Sequence, residues 1–398
     1  MTGVLFLTES FHPVLGGGEG HIRELSRRLA AAGLRASVLT RHIDAEWPRA
    51  ETLDGVRVLR VAPSGRGRGG KYAMVGPVLA ALHRERDAFD VLVVRGTRVL
   101  GLPGLAAGRA LGKAVVLQPE LNGEMSGEVY TWGTRLHVPA IRRAVGAGAA
   151  ARNLLLRDAD AFVAMSRAIS AEFLAAGAPP EKVALMPHGV DTARFRPASA
   201  DERRAIRARL GLDESALVVT YTGRLLKGKG LEALIEAFAA VAGDEPRAHL
   251  MIVGSGEGQT LSIEPELREA VRRRGLESRV TFTGRVEGVA DHLRASDLFV
   301  FPSEFEALGL SLIEAAACGL PAIGARTGGI VDVIEDGSSG LLVVPGHAGD
   351  LTSALRLLLA DGDRRAHMGR RARQIAQDRF DLDDSVCRYA ALFRELRG

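Results

Sequence analysis

The feature that most constrains the fold is a regular alternation of short apolar runs and amphipathic helical segments along the 398 residues of the chain. Apolar runs such as Val4–Thr8 and Val91–Arg95 are each followed by a segment whose apolar residues recur at helical spacing. Strands separated by helices pair in parallel, because the helix carries the chain back to the start of the next strand. The sequence therefore predicts α/β domains whose parallel sheets are covered by helices on both faces.

The chain is longer than one hydrophobic core usually supports, so two domains are expected. A turn-rich segment, HGVDTARFRP, follows the last predicted strand of the first half and precedes a second series of strands and helices. We expect a first Rossmann-like domain over residues 1–188 and a second over residues 189–375. A C-terminal helical segment over residues 376–398 is expected to pack back on the first domain.

Composition places the chain among ordinary globular proteins, with 46% hydrophobic and 25% charged residues. No apolar segment is long enough to cross a bilayer, and the N-terminal MTGVLFLTES is typical of a first strand, not of a signal peptide. Only two cysteines occur, Cys318 and Cys387, and both are interpreted as reduced thiols. These observations predict a cytoplasmic protein.

Charge is unevenly distributed along the chain. Residues 1–190 carry 24 Lys and Arg against 17 Asp and Glu, whereas residues 191–398 carry 28 against 31. A basic first half favours contact with an acidic partner, such as the cytoplasmic face of a membrane, and a dispersed arginine-rich surface is the alternative. No nucleic-acid motif accompanies this charge, so nucleic acid is not expected as a partner.

Two carboxylates stand eight residues apart after a buried apolar run. The run Leu298–Phe301 ends at Pro302, which predicts a strand followed by a loop and a helix beginning near Gly309. Glu306 then lies in the loop and Glu314 about one turn inside the helix. Carboxylates accept hydrogen bonds from sugar hydroxyls, and the free N–H groups at a helix start bind anions. Two solvated glutamates that complement the helix dipole are the alternative interpretation.

Glycine-rich turns follow other predicted strands. The segment TGRLLKGKG contains most of a P-loop, but Gly230 stands where a P-loop needs a hydroxyl for magnesium, which argues against an NTPase. Arg224 and Lys229 can still neutralise a diphosphate, the first as a bidentate fork and the second as a point charge. Near the N-terminus, the turn containing Gly16 and Gly17 allows close approach to a ligand, and a flexible turn is the equal alternative.

A long polar segment, QPELNGEMSGEVYTWG, follows the predicted strand Ala114–Leu117. Connections of this length without secondary structure are frequently functional. Glu120, Asn122 and Glu124 are its first carboxylate and amide groups.

Several motifs together resemble one family. GGGEGH, HGVD, GRLLKGKG, VTFTGRV and PSEFEALGLSLIEAAACGLPAIGARTGG stand in the order and spacing of the retaining glycosyltransferases of family 4. The resemblance covers nearly the whole chain. It implies the GT-B fold, in which two Rossmann-like domains face each other across a cleft, with a nucleotide-sugar bound mainly by the second domain and the acceptor by the first.

The resemblance also implies roles for individual residues. Arg224 and Lys229 would hold the diphosphate, Glu306 the donor sugar and Glu314 the nucleotide ribose. The implied catalytic set is Arg224, Lys229, Glu306 and Glu120. Further groups would line the donor site: Gly16, Gly17, Gly284, Arg285, Val286, Ala307, Leu308, Gly309 and Leu310. No metal and no other cofactor is implied. One departure is notable, because Glu120 stands where many members have a histidine.

The predicted function is transfer of a sugar from a nucleotide-diphospho-sugar, with UDP as the expected nucleotide, to a hydroxyl acceptor. The acceptor would be a glycan, a lipid-linked sugar or a small metabolite. Two alternatives remain open at this point: a sugar-nucleotide-binding scaffold without catalysis, and another GT-B enzyme such as a sugar-nucleotide epimerase.

Overall fold

The computed structural model describes residues 1–14, 16–65, 67, 69–128, 139–259 and 261–398. Part of the predicted functional loop after Ala114–Leu117 lies outside the described residues. The chain divides into two compact units, one formed by Met1–His188 with Leu382–Gly398 and the other by Gly189–Asp381. None of the described helices is long and apolar enough to span a bilayer.

The elements of the first unit up to its last strand are β1 (Gly3–Leu7), α1 (Gly17–Ala31), β2 (Arg35–Arg41), β3 (Ala50–Leu53), β4 (Val56–Val61), α2 (Gly70–Ala73), α3 (Val75–Arg84), β5 (Val91–Arg95), α4 (Gly101–Ala110), β6 (Ala114–Gln118), α5 (Pro139–Leu156), β7 (Ala161–Ala164), α6 (Arg167–Ala175) and β8 (Val183–Leu185).

The second unit contains α7 (Ala200–Arg209), β9 (Leu217–Thr222), α8 (Leu231–Ala242), β10 (Ala248–Val253), α9 (Glu264–Arg273), β11 (Val280–Gly284), α10 (Val289–Arg294), β12 (Leu298–Phe301), α11 (Leu310–Ala317), β13 (Ala322–Ala325), α12 (Ile330–Val333), β14 (Gly340–Val343), α13 (Ala348–Ala360) and α14 (Gly362–Phe380). The last helix, α15 (Leu382–Arg397), returns to the first unit.

The sheet of the first unit has the order β3-β4-β2-β1-β5-β6-β7-β8, and every described pair is parallel except β3 with β4. The sequence-based description missed β3. Its hairpin turns at Asp54 and Gly55, with φ angles of 51° and 81°. Two successive positive φ angles are typical of a two-residue hairpin turn, for which Asp-Gly is a preferred pair. The prediction of a wholly parallel sheet was therefore wrong at this edge, where a local signal was present.

The core of the first unit joins its sheet to both its first and its last helix. Val4 and Phe6 on β1 pack in one buried cluster with Leu25 of α1 and with Tyr389 and Phe393 of α15. The rings of Phe6 and Phe393 meet edge to face, with centroids 6.2 Å apart. The hydroxyl of Tyr389 accepts a hydrogen bond of 2.8 Å from the buried Gln118 side chain at the end of β6. Helix α15 is therefore an integral layer of this unit.

The change of unit near the C-terminus follows from the packing of α14. This helix runs without a break through residue 376 to Phe380 and contacts α11 and α13. Ile375, Ala376 and Phe380 are buried on its inner face. Residues 376–381 accordingly lie in the second unit, and the chain enters the first unit at Leu382.

The sheet of the second unit has the order β11-β10-β9-β12-β13-β14, with parallel pairing throughout the described ladders. This is the doubly wound order, in which the winding direction reverses between the first and fourth strands, here β9 and β12. In the first unit the same reversal lies between β1 and β5. Ligands of such sheets bind beyond the carboxyl ends of the strands at this reversal.

Candidate active site

Two loops meet at the reversal point of the second unit. One follows β9 and leads to α8, and the other follows β12 and leads to α11. The N–H of Glu304 donates a hydrogen bond of 3.0 Å to the carbonyl of Gly228. A Cβ at Gly230, which has φ of 68°, would lie 2.1 Å from the carbonyl oxygen of Pro302. Only glycine therefore permits this close approach of the two loops.

The contact brings together two residues singled out in the sequence. The ammonium of Lys229 lies 2.7 Å from Oε2 of Glu306, and both side chains are about four-fifths buried, with 22% and 18% exposed. The hydroxyl of Ser303 also donates to this oxygen at 3.4 Å. The site thus presents a cation and a carboxylate as a preformed pair at the carboxyl edge of the sheet.

The start of α11 offers backbone donors next to this pair. Gly309 precedes the helix with φ of 93°, a left-handed conformation that favours glycine. Within the described part of the chain, the N–H groups of residues 307–310 donate to no acceptor. A Cβ at Gly329 would lie 2.3 Å from the carbonyl of Ala307, so the turn after β13 packs directly on this loop. Free N–H groups at a helix start form an anion-binding position.

Glu314 lies about one turn into α11 and is partly buried. Burial raises the pKa of its carboxyl to about 7, and the charge of Arg194 opposes this effect. The carboxylate makes no hydrogen bond to the described residues. A desolvated carboxylate without a protein partner can accept hydrogen bonds from ligand hydroxyls.

Arg224 is exposed on the loop after β9. Its carbonyl accepts a hydrogen bond of 3.1 Å from the hydroxyl of the buried Tyr221, which fixes the backbone. Its guanidinium makes no ion pair or hydrogen bond with the described residues, so its fork of donors is available to a ligand.

The predicted segment Gly284–Val286 lies at the far edge of this sheet. The N–H of Gly254 donates to the carbonyl of Gly284 at 3.0 Å, and a Cβ at Gly254 would lie 1.9 Å from the carbonyl of Gly223. The ends of β9, β10 and β11 therefore form a continuous glycine-lined backbone surface. Arg285 is exposed, and Val286 packs on a small apolar cluster that includes Met251.

In the first unit, the glycine turn leads directly into α1. Gly16 precedes the helix and Gly17 is its first residue. The carboxylate of Glu19 accepts a hydrogen bond of 2.6 Å from Ser10, and a Cβ at Gly16 would lie 2.2 Å from Oε2 of Glu19. A carboxylate of the chain itself therefore covers this helix start, so an anionic ligand there must displace it.

Glu120 lies beyond the end of β6. Its Oε1 accepts a hydrogen bond of 3.4 Å from the hydroxyl of Thr8 and lies 3.9 Å from Nε of Arg95. Burial is the largest influence and raises the pKa of Glu120 to about 7, while Arg95 lowers it. Glu120 is thus held among polar groups at the carboxyl edge of the first sheet.

Two carboxylates that the sequence did not mark as structural hold the Glu120 loop. Buried Glu124 accepts hydrogen bonds of 3.0 and 3.1 Å from the N–H groups of Glu120 and Leu121, and of 2.7 Å from that of Thr97. Glu172 accepts three further hydrogen bonds from N–H groups of residues 123–126. These six hydrogen bonds to two side chains are hard to predict, because nothing local in the sequence distinguishes these glutamates from solvated ones.

The described residues contain no group of three or more His, Cys, Asp or Glu side chains that could hold a metal ion.

Comparison with solved structures defines the class of fold. Sucrose-phosphate synthase from Thermosynechococcus elongatus superposes with a TM-score of 0.85 and 24% identity, over 100% of this chain and 99% of that one. Anabaena HepE in complex with UDP and glucose superposes with a TM-score of 0.79 and 24% identity, over 99% and 100%. The fold is therefore GT-B, as the sequence predicted.

Sequence comparison defines the family. The profile described as glycosyl transferases group 1 matches residues 202–375, and that of glycosyltransferase family 4 matches residues 15–194. A D-inositol 3-phosphate glycosyltransferase of Kineococcus radiotolerans is 31% identical over 91% of this chain and 86% of its own. One of Geodermatophilus obscurus is 29% identical over 96% and 86%. The chain belongs to the family 4 glycosyltransferases.

Family membership confirms the predicted class of enzyme, a glycosyltransferase of EC class 2.4. It does not support the alternatives of an inactive scaffold or an epimerase. The cytoplasmic location, the membrane contact of the basic first domain and the individual roles of the site residues stay predictions.

Proposed function

We propose that this enzyme transfers the sugar of a UDP-sugar to a hydroxyl of a polyol acceptor, with retention of anomeric configuration and without a metal ion. The observation that carries the proposal is the pairing of Lys229 with Glu306, which joins two loops at the reversal point of the second sheet. A cation and a carboxylate held there suit a ligand that is both a diphosphate and a sugar.

The diphosphate is the leaving group, and negative charge develops on its oxygen as the glycosidic bond breaks. Arg224, Lys229 and the N–H groups of residues 307–310 supply positive charge and oriented donors for this oxygen. Such preorganised donors stabilise a transition state because they need no rearrangement during the reaction. The chain provides these groups itself, so the proposed reaction needs no metal.

The two glutamates bind hydroxyl groups in this proposal. Glu306 accepts hydrogen bonds from the donor sugar, and Glu314 from the ribose of the nucleotide. Because Lys229 compensates the negative charge of Glu306, this carboxylate is poorly suited to act as the nucleophile of a double displacement. The proposed retention comes from membership of the family.

The choice of donor and acceptor is supported by similar proteins. The Anabaena neighbour holds UDP and glucose in its structure. The curated relatives are named for D-inositol 3-phosphate, a phosphorylated polyol. We therefore expect UDP as the nucleotide and a sugar-like polyol as the acceptor. The first unit is proposed to provide the contacts to the acceptor.

A donor panel tests the proposal. Thermal shift is measured with UDP-glucose, GDP-glucose and ADP-glucose, and the ligand that stabilises the protein is then assayed for slow hydrolysis. We expect the UDP-sugar to raise the melting temperature most and to release UDP. Stabilisation by GDP-glucose or ADP-glucose alone would overturn the UDP assignment. If none of the three nucleotide-sugars is hydrolysed, the proposed donor site would be overturned.

A further inference from the structure

Arg95 occupies an unusual position in the first unit. It is the last residue of β5, next to the reversal point of the sheet, and its side chain is only 2% exposed. Taking a guanidinium out of water is costly unless hydrogen bonds and counter-charges replace the lost hydration. The contacts of the Arg95 guanidinium therefore determine how much of this cost is offset.

The protein contacts of the Arg95 guanidinium only partly replace the hydrogen bonds that it would make with water. Nη1 donates to the carbonyl of Gly18 at 3.3 Å, and Nε lies 3.9 Å from Glu120. Among the described residues, Nε itself has no hydrogen-bond partner, and it is inaccessible to solvent. A buried charge that is incompletely satisfied contributes little to stability, which favours a functional reason for keeping it.

The two contacts join separate parts of the candidate site. Gly18 lies in the first turn of α1, directly after Gly16 and Gly17, whereas Glu120 begins the loop that follows β6. Strands β1, β5 and β6 are neighbours in the sheet. Arg95 on the middle strand thus connects the glycine turn on one side with the Glu120 loop on the other.

The positive charge of Arg95 also lowers the pKa of Glu120. The carboxylates of Glu124, Glu19 and Glu9 act in the same direction as burial and favour the protonated form of Glu120. The neighbouring His21 and His188 do not offset them, because burial and Arg95 keep both imidazoles neutral by lowering their pKa values. Arg95 therefore favours the ionised form of Glu120, because it lowers a pKa that burial and the neighbouring carboxylates raise.

We propose that Arg95 is a positioning residue that holds the first turn of α1 and orients the Glu120 carboxylate as a hydrogen-bond acceptor for a substrate hydroxyl. This inference rests on the proposed function, because it assigns Glu120 to a sugar or polyol substrate. Arg95 itself is not proposed to touch the substrate.

The first test does not depend on any substrate. Protein labelled with ¹³C at the glutamate carboxyl is titrated by NMR, and the signal lost in Glu120→Gln identifies Glu120. We expect Arg95→Met to move its midpoint upward by about one to three pH units. Arg95→Lys should stay near the wild-type midpoint, and Arg98→Met serves as the control. If Arg95→Met does not fold, Arg95→Gln replaces it. An unshifted midpoint would overturn the role of Arg95.

The second test uses the pH profile of kcat/KM for UDP-glucose turnover. We expect an acidic limb in the wild type, the same limb moved to higher pH in Arg95→Met, and its loss in Glu120→Gln. A shifted NMR titration with an unchanged profile would overturn the positioning role. Lack of turnover by the wild type would overturn the proposed function instead, while the titration still reports on Arg95 and Glu120.

Discussion

Lys229 and Glu306 lie 77 residues apart in the sequence and form a 2.7 Å ion pair across the reversal point of the second sheet. Their loops follow neighbouring parallel strands, β9 and β12, whose carboxyl ends lie at the same edge. The order of strands therefore brings residues from two weak sequence motifs together in one charged site.

Replacement of Lys229 should slow the reaction. Because its ammonium is proposed to stabilise charge on the leaving diphosphate, Lys229→Met should lower kcat for UDP-glucose turnover by about ten- to a thousandfold. Lys227→Met, an exposed lysine of the same loop, is the matched control and should retain wild-type turnover. Equal losses in both variants, or none in Lys229→Met, would contradict the assignment.

Replacement of Glu314 should weaken nucleotide binding. A hydrogen bond to a charged group contributes enough that Glu314→Gln should raise the Kd for UDP by about ten- to a hundredfold. Burial places the pKa of Glu314 at about 7, so wild-type affinity should fall as pH falls through that value. Calorimetry at several pH values checks both effects. The exposed Glu304→Gln is the control, and a Glu314→Gln protein with unchanged affinity would remove Glu314 from the site.

Activity should survive chelation. The proposed donors of positive charge are Arg224, Lys229 and backbone N–H groups, so no metal is needed to polarise the phosphates. Turnover of UDP-glucose is compared before and after dialysis against EDTA, then with added Mg²⁺ or Mn²⁺. Loss of activity that either ion restores would show that the reaction uses a metal.

Acid should destabilise the first unit through its stacked histidines. The rings of His21 and His188 lie 3.7 Å apart, both are buried, and burial lowers the pKa of His21 to about 3. A lowered pKa means that folding favours the neutral form, so stability falls as pH drops below the unfolded value of 6.5. The expected loss is about 1.4 kcal/mol per pH unit for each imidazole.

Urea unfolding between pH 7 and pH 5 measures this effect. Trp47 lies in the first unit, with the guanidinium of Arg60 5.8 Å from its ring centroid, so its fluorescence reports the unfolding of this unit. His21→Phe should flatten the pH dependence, whereas replacement of the exposed His83 by Gln should leave it unchanged. An equally steep dependence in His21→Phe would show that other groups cause it.

The sequence predicted most strands of both sheets, but not β3, because apolar periodicity and glycine turns are local signals. It predicted Lys229 and Glu306 as separate features, since their contact depends on the order of strands in the sheet. Strand order is a tertiary property that helical and strand periods do not specify. The missed β3 hairpin is different, because its Asp54-Gly55 turn was visible in the sequence.

The burial of Arg95 could not be predicted from the sequence. An arginine at the end of an apolar run is normally expected at the surface, and its burial follows only from the packing of α1 and the Glu120 loop around it. The same holds for Glu124 and Glu172, whose hydrogen bonds reach backbone groups of residues 120–126.

The most direct measurement is the affinity of UDP for the wild-type enzyme and for Arg224→Ala, determined by calorimetry. We expect the wild type to bind UDP and loss of the Arg224 guanidinium to weaken binding by at least about tenfold. Arg224→Lys should recover part of the affinity, because it restores the charge without the bidentate fork. Equal affinity of the wild type and Arg224→Ala for UDP would contradict the proposed diphosphate site.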